Sequence, residues 1–474
     1  MTFTSFHFWL VFPIVFVLYW AIPAKWNTWR KVLLLVVSYL LYMSWTPLYA
    51  LVLLGVTLVT YWGGRCFDSP QDANRKRSRL IWLFVIIGLL PLLFFKYYNF
   101  LNDSVSTGLA TIGLQFALPG LNWAIPIGIS FFSFQAVGYM LDVYHGRVRA
   151  EKNLLDYLLF VSFFPQVISG PISKADELLP QIKTPHTFDF EQGRQGLKYL
   201  LWGMFLKVAV ADRLGLFVDS VYSNYIHYSG STCFVASIFY TIQIYCDFAG
   251  YSLMAIGVAR TLGFRLVDNF RRPYLAVSIT DFWRRWHISL TRWLTWQVYV
   301  PLGGNRCSKA RTYWNIFVTF LVSGIWHGAN WTFIVWGCMH GLFQIVEKAL
   351  GWQKYEGKNW PVKALRICVT FLLVSFAWVF FRMPSIADAG AVIGRVLTGF
   401  GHFEMSAFGG ITNVVLSVFG IAVILFKDMK DEFLGKRMQW LQRPVVRWAS
   451  YTFLFAFIIG FGVLDGGQFI YVNF

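Results

Sequence analysis

Charge is scarce in this sequence. Only 14% of its 474 residues are Asp, Glu, Lys or Arg, against about a quarter in soluble proteins, and no polar stretch is long enough to enclose a water-soluble core of its own. A string of soluble domains is therefore excluded. Cysteine is also scarce: Cys66, Cys233, Cys246, Cys307, Cys338 and Cys368 lie far apart with no CxxC pair, so no metal set or dithiol centre is expected. The chain lacks a G-x-S-x-G elbow, an HExxH pair and a GxxxxGK[ST] loop, which leaves serine-hydrolase, zinc-protease and P-loop readings without support. It lacks an internal repeat, which counts against an inverted-repeat transporter. Residues 1–20 hold no Lys or Arg and are followed by Lys25, Arg30 and Lys31, the reverse of a cleavable signal peptide's charge order. The first helix is expected to stay, with its N-terminus outside.

What the chain has in abundance is apolar surface: 57% of residues are hydrophobic and 19% aromatic. Apolar runs near 5–22, 80–100, 125–146, 197–217, 234–258, 366–383, 411–427 and 449–466 are long enough to span a bilayer. Residues 32–62, interrupted by Trp45-Thr46-Pro47, predict a hairpin, and 312–327 with 330–347 predict a second pair. The reading is an all-α polytopic integral membrane protein, one integral membrane domain over 1–474, with about 11 to 13 transmembrane or re-entrant helices. The net charge of +18 comes from Lys and Arg in short segments between the apolar runs, where anionic lipid attracts them; nucleic acid is not an expected partner. Basic residues cluster at 23–31, 65–79, 147–152, 174–207, 260–311, 348–366 and 427–447, and are missing from 97–146 beyond Lys96, 214–259, 396–426 and 448–474. Because basic loops are retained in the cytoplasm, Lys76 and Lys430 are expected inside, and Ser229 and both termini, Phe474 included, outside.

Two stretches do not read as simple spans: "FVSFFPQVISGPIS" at 160–173 and "DFWRRWHISLTRWLTWQVYVPLGGNR" at 281–306. Irregular or charged backbone at membrane depth survives only when buried in protein or lining an aqueous cavity, so both are candidates for a substrate path. Of the eight histidines, His7, His145, His186, His227, His340 and His402 read as ordinary imidazoles at segment ends or in polar loops. His287 and His327 differ. His327 sits in "SGIWHGANWTFIVWG" (323–337), where Gly324 and Gly328 are spaced for close helix approach and where continuous helix would bring Asn330 near its face. His287 lies among Arg284, Arg285 and Arg292, a cluster suited either to lipid headgroups or to the phosphates of a nucleotide-bearing donor. A histidine titrating near neutrality takes a proton from a hydroxyl as an acyl group moves and then returns it. Asp247, in "YCDF", could orient a histidine or bridge to an arginine inside the protein, and a purely structural ion pair is an equal reading.

The run from "YCDFAGYSLMAIG" through "PLGGNR" (245–306), with "SGIWHGANWTFIVWGCMHG" (323–341), "PIGISFFSFQAVGYMLDVY" (126–144) and "FFPQVISGPI" (163–172), closely resembles the membrane-bound O-acyltransferase (MBOAT) family. The likeness is strongest to its bacterial branch that acetylates alginate, peptidoglycan and cellulose. The resemblance implies an MBOAT-type core over about 80–350 with peripheral helices at 1–79 and 351–474, and a through-membrane tunnel entered by cytoplasmic acetyl-CoA, which is the donor substrate; no cofactor is implied. It maps the family's two functional histidines onto His327 and His287. Asp247, Arg284, Arg285, Asn330 and Trp331 are further candidates along the substrate path. It also implies O-acetylation of an envelope polysaccharide, with an extracytoplasmic SGNH-type partner protein, from the bacterial inner membrane. Two alternatives remain at this point: transfer of D-alanine or another acyl group to an envelope polymer from a carrier protein, and a non-enzymatic anion channel or transporter using the same basic mouth and buried histidines.

Overall fold

The computed structural model describes residues 3–68, 75–355, 357, 359–435, 438–463 and 470. Every regular element among them is helical. Among the described residues, five helices are long and apolar enough to cross a membrane: Ser78–Ala110, Gly230–Thr261, Trp360–Arg382, Ile411–Leu434 and Pro444–Phe461. A sixth span passes that test only as a bent pair, Phe6–Ala21 and Ala24–Met43, broken by 107°. The interruption expected at Trp45-Thr46-Pro47 is present, between helices Asn27–Met43 and Tyr49–Cys66. The C-terminal Phe474 and the side chain of Lys76 lie outside the described residues.

The chain groups into two compact units that interleave in sequence: 1–198 with 255–267 and 471–474, and 199–254 with 268–470. In the first, helices Tyr49–Cys66, Arg75–Leu92, Ile129–Tyr144 and Leu154–Ser162 pack together. The irregular stretch expected at 160–173 leaves the helix after Ser162 and is buried throughout. Side chains satisfy its backbone: Ser38 Oγ accepts from the Phe164 amide at 3.1 Å, and Gln135 and Gln166 donate to the Phe160 carbonyl at 2.6 and 3.1 Å. This is how non-helical chain is tolerated at membrane depth.

The second unit is built on an antiparallel hairpin, Lys309–His327 and Trp331–Ala349, with helix Trp360–Arg382 against the return helix. The hairpin is tight because two glycines face each other. A Cβ on Gly337 would sit 2.5 Å from the Phe320 carbonyl and 2.9 Å from Gly324 Cα, so only hydrogen permits backbone to meet backbone. The turn follows from local chemistry. Gly328 is extended (φ −168°), and Asn330 caps the return helix by accepting from the Thr332 amide at 3.0 Å.

Candidate active site

His327 is the last residue of the outgoing hairpin helix and is 1% exposed. Its Nδ1 lies 2.6 Å from the Ser323 carbonyl one turn back. A carbonyl only accepts, so Nδ1 carries the proton and Nε2 the basic lone pair. The ring is packed by Trp326 at 4.9 Å, Trp336 at 4.7 Å and Phe381 at 5.5 Å. The hairpin thus presents one imidazole with Nδ1 protonated and Nε2 unprotonated, walled by aromatic rings.

His287 arrives on a different kind of element. The 281–306 segment is broken into two short helices, Ile279–Arg285 and Ile288–Leu294, and His287 is the joint between them at φ +43°. It is fully buried. Its Nδ1 is 3.2 Å from Asn269 Oδ1, which also accepts from the Ser289 amide at 3.1 Å and the Ser289 hydroxyl at 2.9 Å. Three donors on one atom identify it as the amide oxygen, so His287 too holds its proton on Nδ1 and its lone pair on Nε2. The Trp326 ring stands 5.8 Å from His287 and 4.9 Å from His327, so one indole touches both.

His340, set aside in the sequence, is fully buried in the same cluster. It lies 5.0 Å from Trp336 and 5.1 Å from Trp283, whose indole N–H donates to its Nδ1 at 3.2 Å. The available signal was its place one turn after Trp336 on the helix returning from His327. Asn269 was missed because nothing in its local sequence marks it.

The remaining candidates are placed elsewhere. The helix does not continue past His327, so Asn330 does not share its face; its amide donates instead to the Pro384 carbonyl at 2.8 Å. Trp331 and Arg284 are exposed. Arg285 is held by Asp281 at 2.9 Å and Glu432 at 3.0 Å, and Glu432 also holds Arg272 at 2.7 Å. Burial alone would lower the Arg285 pKa, but the Asp281 and Glu432 carboxylates outweigh it and raise it above its ordinary value. Among the described residues, Asp247 neither orients a histidine nor meets an arginine. It pairs with Lys207 at 2.6 Å, which also pairs with Asp212 at 2.6 Å, and it accepts from the Ile470 amide at 2.8 Å. A lysine inside an apolar run needs such carboxylates, and that rule pointed from Lys207 to Asp247 more directly than any histidine did.

Residues 145–377 match the model of the membrane-bound O-acyltransferase family. The chain is 37% identical to the "Probable alginate O-acetylase" of Pseudomonas syringae pv. tomato over 86% of its own length and 78% of that protein's. It is 34% identical to the peptidoglycan O-acetyltransferase of Helicobacter pylori, over 77% of this chain and 73% of the relative. Against the teichoic acid D-alanyltransferase of Bacillus subtilis the identity is 26%, over 66% and 81%.

Proposed function

This chain belongs to the membrane-bound O-acyltransferase family, and from that premise we propose that it transfers acetyl groups from cytoplasmic acetyl-CoA for O-acetylation of an extracytoplasmic polysaccharide, with His327 as the general base. The protein is a multi-pass membrane acyltransferase. The acetyl donor is favoured over a D-alanyl carrier by the higher identity to the alginate and peptidoglycan O-acetylases than to the D-alanyltransferases. Location in a bacterial inner membrane, one integral membrane domain, and relay to the polymer through an extracytoplasmic SGNH-type partner complete the reading.

The observation that carries the assignment is the Nδ1–H of His327 on the Ser323 carbonyl, which leaves the lone pair on Nε2 of a buried ring. In the step we propose, Nε2 takes the proton of the acceptor hydroxyl as that oxygen attacks the acetyl carbonyl carbon. Collapse of the tetrahedral species breaks the C–S bond, and the leaving thiolate takes the proton back from His327. His287, on the arm that carries Arg284 and Arg285, serves the donor end, locked in orientation by Asn269. A general base contributes about 10²- to 10⁴-fold.

Calorimetry on purified protein with a non-hydrolysable acetyl-CoA analogue tests the division of labour. His327→Ala should bind the donor nearly as wild type does and fail in transfer, while His287→Ala should bind more weakly. Loss of donor binding in His327→Ala, with binding and turnover both intact in His287→Ala, overturns it.

A further inference from the structure

Three tryptophans around the two histidines share a property that protein interiors rarely tolerate. The indole N–H groups of Trp286, Trp336 and Trp378 have no hydrogen-bond acceptor among the described residues, although all three side chains are fully buried. Trp336 stacks on Trp378 at 5.5 Å, and Trp378 lies 5.1 Å from Trp286, the residue before His287. His340 adds a fourth donor. Because its Nδ1 accepts from Trp283, the neutral ring carries its proton on Nε2, and that atom too is buried without a partner. The nearby hydroxyls of Ser323 and Thr332 do not supply the acceptor, since neither makes a hydrogen bond among the described residues.

A buried donor without an acceptor has given up its hydrogen bond to water for nothing, and four in one ring cluster call for an explanation. The chemistry of the missing partner follows from the inventory. The three indoles and His340 Nε2 present N–H donors, so they suit an accepting atom such as a carbonyl oxygen or an oxyanion. Trp336 is in contact with the His327 ring at 4.7 Å, and His340 with Trp336 at 5.0 Å, which places the donors beside the base.

We propose that the Nε1–H of Trp336 and the Nε2–H of His340 hold the thioester carbonyl oxygen of the acyl donor, with Trp378 and Trp286 extending the same donor-only lining toward His287. The inference rests on the transfer reading above. When the acceptor oxygen bonds to the carbonyl carbon, the C=O π pair moves onto this oxygen. The N–H groups meet that charge until the pair returns and the C–S bond breaks, with the sulfur taking the proton that His327 removed from the hydroxyl. Preformed donors in a dry site need no reorganisation as the charge appears.

The test is infrared spectroscopy of acetyl-CoA carrying carbon-13 at the thioester carbonyl, bound to His327→Ala protein in detergent. Binding should move the carbonyl band to lower wavenumber. Replacing Trp336 with its benzothiophene isostere, which exchanges N–H for sulfur and keeps the ring's shape, should reduce that shift. His340→Gln, which retains one acceptor and one donor, should preserve it, and His340→Leu should reduce it. In the His327-containing enzyme the isostere should slow transfer about 10²- to 10³-fold, a larger loss than any in donor affinity. Acetyl-CoA that binds with an unshifted band, or a shift that survives the isostere and His340→Leu together, overturns this inference alone. No binding of acetyl-CoA at all overturns the donor assignment and this inference with it.

Discussion

His287 sits in the left-handed backbone region, a conformation that costs a non-glycine residue about 1–2 kcal/mol, and the Asn269 amide oxygen is what offsets it. That oxygen gathers His287 Nδ1–H, the Ser289 amide and the Ser289 hydroxyl. Asn269→Leu should therefore lower stability in detergent by about 1–3 kcal/mol and weaken acetyl-CoA binding, read by thermal unfolding and calorimetry; unchanged values for both contradict the positioning role. At this scale the sequence was partly legible. His327 stood out because imidazole in an apolar run is costly, and His287 because it lies among Arg284, Arg285 and Arg292. Their partners did not, because Asn269 and His340 reach the cluster through tertiary packing that spacing does not encode. Asp247 stood out as well, and its partner turned out to be Lys207.

Between elements, the hairpin that carries His327 depends on the absence of side chains at Gly324 and Gly337. Gly337→Val forces a Cβ into the Phe320 carbonyl and should sharply reduce the folded fraction recovered by size-exclusion chromatography. Gly390→Ala is the control. Its Cβ meets nothing within 4 Å, so the change should be neutral or stabilise helix Ile386–Thr398 by up to about 1 kcal/mol. Equal behaviour of the two variants contradicts the close-approach account. Helix breaks at Trp45-Thr46-Pro47 and after Ser162 were readable from proline and glycine. The break between 327 and 330 was readable as the meeting of two apolar runs, but helix propensity does not reveal that Gly328 is extended and Asn330 caps the next helix. The left-handed joint at His287 was equally hidden, because histidine gives no sign of a positive φ.

For the whole molecule, the charge pattern predicts orientation. Basic segments are retained in the cytoplasm, so single cysteines introduced at Lys76 and Lys430 in a cysteine-free background should resist an impermeant thiol reagent applied from outside, while one at Ser229 should react; labelling at 76 and 430 but not at 229 inverts the arrangement. In that predicted orientation the basic 281–306 segment would face the side from which the proposed donor enters. The claim on which the account rests is that His327 moves the proton during acyl transfer, and the acetyl ester content of the envelope polysaccharide in cells carrying His327→Ala measures it most directly. With the variant inserted in the membrane at the wild-type level, the account predicts that O-acetyl ester falls to that of cells lacking the protein. Wild-type ester content in that variant contradicts it.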